Sequence, residues 1–176
     1  MRTVVIYKSR TGNARKYAEM IASHLGADLF NSGQIHVERL FSYDTIIFGG
    51  GLYVRGIYGL RNLVNNLDLL KDKNIIVYAT GATHPRNQDV KSVMRSNFTE
   101  DQLKHMKFFY LHSEVNYEML SFGDKLMISI IKFRLKNKKN RTKEQDGLLE
   151  AYAGKHTHDK NECIKPVLEY VSSLQK

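Results

Sequence analysis

The residues with the clearest chemical potential stand near the N-terminus, in the run Ser9-Arg10-Thr11-Gly12-Asn13-Ala14. Two hydroxyls, a guanidinium and a glycine precede a helical pattern, and together they have the composition of an anion cradle. Successive backbone N–H groups at a helix start can surround a dianion while the helix dipole favours its charge. Gly12 lets the backbone come close to such a group. The same residues also compose an ordinary strand-to-helix turn with Thr11 or Asn13 as its cap. Read from the residues upward, the run says phosphate without naming the phosphate's owner.

Two nucleotide classes are excluded by inspection. No G-x-x-x-x-G-K-[ST] occurs, and the first turn lacks the dinucleotide fingerprint that should stand there. Gly49-Gly50-Gly51-Leu52-Tyr53-Val54 begins like that fingerprint, but it lacks the last glycine and follows the third strand. The histidines form no convincing site. His156 and His158 with Cys163 lack a second ligand pair and sit among Lys, Asp and Asn, so no metal is expected. His84, beside a polar loop, is the histidine to test for proton transfer. No Ser-His-Asp or Cys-His arrangement supports hydrolysis.

The elements that must position the cradle follow from hydrophobic patterning. Thr3 to Tyr7 reads as a strand leading into a helix with Ala14, Ala18, Ile21, Ala22 and Leu25 on one face and Gly26 at its end. A weaker strand spans Ala27 to Phe30. The third, Thr45 to Phe48, is closed by Gly49 to Gly51, and a helix carrying Ile57, Leu60, Val64 and Leu67 comes after it. Ile75 to Ala79 reads as a central strand and Phe108 to Leu111 as the fifth. Thr99 with Gln102 forms a capping box for a short helix. Ile164, Val167, Leu168, Val171 and Leu174 mark a C-terminal packing helix with Pro166 in its first turn. Strands alternating with helices predict an α/β fold, an open five-stranded parallel sheet, doubly wound, with helices on both faces. Such sheets bind ligands beyond the carboxyl ends of their strands, where strand order reverses. Three loops should converge there: Ser9 to Ala14, Gly49 to Gly56, and Thr80-Gly81-Ala82-Thr83-His84.

With 176 residues, 42% of them hydrophobic, and no linker or repeat, one domain covering 1–176 is expected. The charge is uneven. Eight basic residues against one acid, Asp124, lie between Met119 and Lys143, which is +7 of the net +9. Within that segment Lys125, Ser129, Lys132 and Lys136 fall on one helical stripe. Met119, Phe122, Leu126, Met127, Ile130, Ile131 and Phe133 fill a much wider apolar arc. This pattern suits peripheral contact with an anionic membrane through 119–143, a homodimer contact, or a helix folded over the sheet. Nucleic acid is not an expected partner, because no aromatic residues interleave the Lys136 to Lys143 run. A lone cysteine, no signal-peptide core and no stretch of membrane-spanning length lead to an expected cytoplasmic location.

Ser9-Arg10-Thr11-Gly12-Asn13-Ala14 resembles the phosphate motif T-x-T-G-x-T of the flavodoxin family, with Ser at the first threonine and Ala at the last. More closely, the chain is similar to the flavodoxin-like menaquinone-dependent protoporphyrinogen oxidases. That likeness is carried by Ser9-Arg10 with Gly12 and Arg15, by Tyr43-Asp44 with Gly49, and by Asp124-Lys125-Leu126-Met127-Ile128, in an insert of about 115–158 after strand five. The resemblance implies FMN as cofactor, with Ser9, Arg10, Thr11, Gly12, Asn13 and Ala14 at its phosphate. Gly50, Gly51, Leu52, Tyr53 and Val54, with Thr80, Gly81, Ala82 and Thr83, should flank the isoalloxazine. Tyr53 is the candidate to stack on the ring. The Thr80 loop lacks an aromatic residue where many flavodoxins place a second one, which leaves a flavin face open. Two function classes follow. One is an FMN-dependent oxidoreductase passing electrons from a reduced tetrapyrrole or other donor to a quinone; the other is a soluble flavodoxin-like carrier or reductase with a small-molecule or protein redox partner. Carriers of this family are typically acidic, whereas this chain is basic.

Overall fold

The computed structural model describes residues 1–53, 56–82, 87–113, 118, 120–142, 145, 146, 148, 149 and 159–175. The uncharged run Val4-Val5-Ile6 forms the centre of strand β1 (Thr3–Lys8) and is buried on both faces. Helix α1 (Asn13–Leu25) buries Ala14, Tyr17, Ala18, Ile21 and Ala22, and Gly26, at φ 59°, ends it by bonding its N–H to the Ala22 carbonyl. Then come β2 (Asp28–Asn31), α2 (Val37–Leu40), β3 (Thr45–Tyr53), β4 (Gly56–Ile57), α3 (Arg61–Val64) and a 3-10 turn (Leu67–Leu70). They are followed by β5 (Asn74–Gly81), α4 (Asn87–Asn97), α5 (Glu100–Lys104), β6 (Met106–His112), α6 (Phe122–Lys136) and α7 (Lys160–Ser173).

Five strands pair in parallel in the order β2-β1-β3-β5-β6, and β4 adds a short antiparallel partner to β3. The fold is therefore the doubly wound α/β sheet that the alternation of patterns predicts. In register, Val5 stands beside Ile47 and Ile47 beside Ile76, a row that packs against Tyr17 and Ile21 of α1 and Ile164 and Val167 of α7. The opposite row, Ile46 with Ile75 and Phe48 with Val77, packs against Leu40, Leu63, Leu70 and Phe98. Strand order reverses between β1 and β3, so the crevice at their carboxyl ends is where such a sheet takes a ligand.

Several local readings of the sequence change. Gly49 to Gly51 do not close the third strand but lie inside it, paired with Tyr78, Ala79 and Thr80 of β5, and at 49 and 50 neighbouring atoms come too near for a side chain. The expected helix through Ile57 and Leu67 is instead the β4 hairpin, one turn of α3 and a 3-10 turn; Gly56, at φ 110°, and Gly59, at φ 80°, break the helical run. Pro166 is not in the first turn of α7, since Asp159 caps that helix by accepting the Asn161 N–H at 2.9 Å, seven residues earlier. Helix α4 was not expected, as its few apolar positions span about one turn. The Thr99 and Gln102 capping box is present on α5 in both directions. Tyr43 and Asp44 serve the scaffold: the Tyr43 hydroxyl donates to Asp28 at 2.7 Å, and Asp44 accepts the Arg2 N–H at 2.6 Å. Among the described residues no helix is long and apolar enough to cross a membrane.

Candidate functional site

The first turn of α1 is built to receive something. Its N-cap is Gly12, not Thr11 or Asn13, with φ 83° and no side-chain cap. No acid stands in the first turn to offset the dipole. A Cβ placed on Gly12 would meet nothing within 4 Å, so the space over the loop is open. The N–H groups of a helix's first turn have no acceptor inside the helix. Here the first turn opens onto that space, with Ser9, Thr11, Gly12 and Asn13 half-buried and Arg10 exposed. The arrangement fits a phosphate dianion in charge, donors and room.

The cradle is braced from beneath by the sheet. Tyr78 is fully buried and donates its hydroxyl to the Ala14 carbonyl at 2.8 Å, and burial holds this phenol well above its ordinary pKa. Its ring lies across Gly49, where a Cβ would come within 1.9 Å of the Tyr78 Cζ. A glycine in β3 thus lets a tyrosine of β5 reach the helix that carries the loop.

The second wall is the end of β3 with β4. Gly50 is forced by the hairpin, since a Cβ there would stand 2.6 Å from Ile57 Cγ2 and 2.7 Å from the Tyr58 carbonyl. Leu52 pairs with Ile57 and packs into the core beneath. Asn97 of α4 accepts the Ile57 N–H at 2.9 Å and donates to the Val93 carbonyl at 2.8 Å, which fixes the hairpin to the scaffold. Tyr53 sits edge-on to Tyr58, with ring centroids 5.8 Å apart, and Gly51 leaves room for its ring. Burial raises the Tyr53 phenol, against the opposing pull of the Arg10 guanidinium and a hydrogen bond with Thr11.

The third loop leaves β5 with Thr80 buried and Gly81 and Ala82 half-buried. His112, at the end of β6, donates from Nε2 to the Ala82 carbonyl at 3.0 Å, and the Ser113 N–H bonds the Gly81 carbonyl at 2.8 Å. The structure therefore brings Ser9 to Ala14, Gly50 to Tyr53 and Thr80 to Ala82 to one end of the sheet. Val54, Thr83 and His84 lie outside the described residues, as do His156 and His158.

Arg10 joins this site to α6. Its guanidinium lies 2.9 Å from Asp124, 5.3 Å from the Tyr53 ring centre and 6.0 Å from that of Tyr58. Asp124 is held in turn by the Ser121 hydroxyl at 2.6 Å, in the capped first turn of α6. Arg15 turns instead to Glu19 on the outside of α1, at 2.7 Å. A cleft of about 740 Å³ opens between these parts, lined by Arg10, Tyr53, Tyr58, Arg61, Asp124 and Met127 among others. Sequence reasoning missed Tyr78, Tyr58, Asn97 and His112. Of these only Tyr78 carried a signal, a polar aromatic inside an otherwise aliphatic central strand.

A doubly wound α/β domain with an uncapped helix N-terminus at its strand switch point defines a class of phosphate-binding proteins. The profile of the family described as flavodoxin domain matches residues 4–143, and the chain belongs to that family. Among solved structures the fold is similar to the Trp repressor binding protein from Bacillus subtilis, at 16% identity and a TM-score of 0.50, over 90% of this chain and 100% of that one. It is also similar to oxidised flavodoxin 2 from Bacillus cereus, at 17% identity and a TM-score of 0.48, over 89% and 100%. The first of these likenesses shows the fold alone. A stretch of 54 residues is 37% identical to an uncharacterized protein of Methanocaldococcus jannaschii, covering 30% of this chain and 36% of that protein. The chain thus spans about a third of that relative's length.

Proposed function

We propose that the protein binds FMN by its phosphate in the Ser9 to Ala14 cradle and acts as an oxidoreductase of the flavodoxin-like protoporphyrinogen oxidase type. Electrons would pass from a reduced tetrapyrrole or other donor to a quinone. The observation that carries the FMN reading is the open, uncapped N-terminus of α1 at Gly12. When bound, FMN supplies one- and two-electron redox chemistry. The chain's own part is to hold and orient. Thr11 and Ser9 hydroxyls and the first-turn N–H groups would bind the phosphate, and Gly51 and Tyr53 would line the ring. Arg10 of the loop, ion-paired with Asp124, ties it to α6. The cleft beside Arg10 and Tyr53 supports an enzyme over a simple carrier, because it offers a second molecule a place against the cofactor. A soluble carrier or FMN-dependent reductase would use the same cradle.

Flavin fluorescence titration tests the anchor. FMN should bind at least about tenfold more tightly than riboflavin, and Thr11→Ala should cost about 1.5–3 kcal/mol, a loss of roughly tenfold or more in Kd. Superimposable FMN and riboflavin curves would remove the phosphate cradle from the argument. Anaerobic assays with protoporphyrinogen and with a quinone then separate enzyme from carrier, since a carrier neither oxidises the porphyrinogen nor reduces the quinone with turnover.

A further inference from the structure

Of the nine large hydrophobic side chains left exposed among the described residues, five belong to α6, which makes that helix an apolar patch rather than random exposure. Phe122, Leu126, Ile130 and Phe133 repeat at helical spacing along one stripe, and the two phenylalanines at its ends are 84% and 70% exposed. Ile128 is the one side chain of α6 that is fully buried, so the helix stands on the surface as a ridge about 22 Å long. Lys125 and Lys136 flank the stripe on one side and Arg134 on the other, with Lys138 and Lys139 immediately after it. The one acid of the helix, Asp124, is turned inward to Arg10, its side chain 15% exposed.

We propose that α6 docks the protein onto an anionic lipid bilayer, its Phe122–Phe133 stripe entering the headgroup boundary and its basic flanks meeting the lipid charge. Charge decides the occupant. A second copy laid along α6 would bring the same basic flanks against each other with no outward acid on the helix itself, since Asp124 is turned to Arg10, and like charges there oppose pairing. A bilayer supplies negative charge along the whole helix and demands no groove, which this ridge lacks. The placement has a functional sense. Asp124 and Met127 of α6 line the 740 Å³ cleft from the inner side of the helix, so the docked helix borders the cleft. The docking itself does not rest on the FMN reading, because none of its residues belongs to the cradle.

Co-sedimentation tests it, with vesicles of phosphatidylcholine alone or mixed equally with phosphatidylglycerol. The protein as purified should pellet with the mixed vesicles at low salt, leave them at high salt through screening, and ignore the neutral ones. Lys136→Gln/Lys138→Gln/Lys139→Gln should lower the partition about a hundredfold, at about fivefold per charge. Leu126→Ser/Ile130→Ser/Phe133→Ser should abolish it, while circular dichroism and flavin titration stay as in the parent. Protein that remains in the supernatant with anionic vesicles at low salt overturns the proposal. So does equal binding to neutral vesicles, or a dimer seen by light scattering that Ile130→Ser/Phe133→Ser breaks. Failure of FMN binding appears in the titration alone and leaves the sedimentation result standing.

Discussion

Tyr78 is the residue on which the sheet and the cradle meet. Tyr78→Phe removes the bond to the Ala14 carbonyl, with an expected cost of about 0.5–1.5 kcal/mol in urea unfolding. Its phenol also fixes a pH dependence. Burial holds the folded pKa well above its ordinary value of about 10. Above that pH the unfolded chain loses a proton which the native state keeps. Stability from this group is therefore complete below about pH 10 and falls as pH rises through the folded value. Urea midpoints measured from about pH 9 to about pH 11 should decline, and Tyr78→Phe should flatten the decline. Some slope should remain, because burial raises the Tyr43 and Tyr53 phenols as well. Tyr53→Ala, at the open end of β3, should perturb the bound flavin spectrum and reduction potential with little change in apoprotein melting.

At the level of elements, the hairpin wall pairs with β3 and is tied to α4 by one side-chain amide. Asn97→Ala leaves the partly buried Ile57 N–H without its acceptor, and a loss of about 1–3 kcal/mol in stability is expected, with weaker flavin binding alongside. Thr99→Ala should cost about 1 kcal/mol by removing the capping box of α5, with no effect on the flavin. These elements differ in how far they could be read from the sequence. The parallel strands were legible because Val4 to Ile6 and Ile75 to Val77 are buried on both faces and carry no polar residue. The Ser9 to Ala14 loop was legible because backbone donors need only a glycine and a helix start, both local signals. The β4 hairpin was not, since Gly56 and Gly59 read as turn residues in any context. What fixes the hairpin to the scaffold is Asn97, forty residues from Ile57. Long-range partners leave no mark on local periodicity, and His112 under Ala82 was hidden for the same reason.

Across the whole molecule, stability should be graded. Strands β1, β3 and β5 lie at the centre of the sheet with both faces covered, while α6 is held by Ile128 and by Asp124 with Arg10. Native-state hydrogen exchange should therefore find the slowest amides in β1, β3 and β5 and much faster exchange in α6. Uniform protection across α6 and the central strands would contradict this grading. Asp124→Asn should leave global stability within about 1 kcal/mol, as for other partly exposed ion pairs. Faster exchange in the first turn of α6 would mark the loss of its tie to Arg10 in the Ser9 to Ala14 loop.

The Tyr78 ring over Gly49 has a consequence for how this chain can change over time. The two positions share one volume, so neither can vary alone. A methyl at 49 collides with the ring, and a smaller residue at 78 leaves a void beneath Ala14. Gly49→Ala and Tyr78→Val should each be strongly destabilising, yet the double variant should be less so than their sum, a coupling that a double-mutant cycle measures directly. The pair is an epistatic lock. Relatives that hold a side chain at the first position should hold a small residue at the second, and a lineage can pass from one state to the other only through an intermediate that folds poorly.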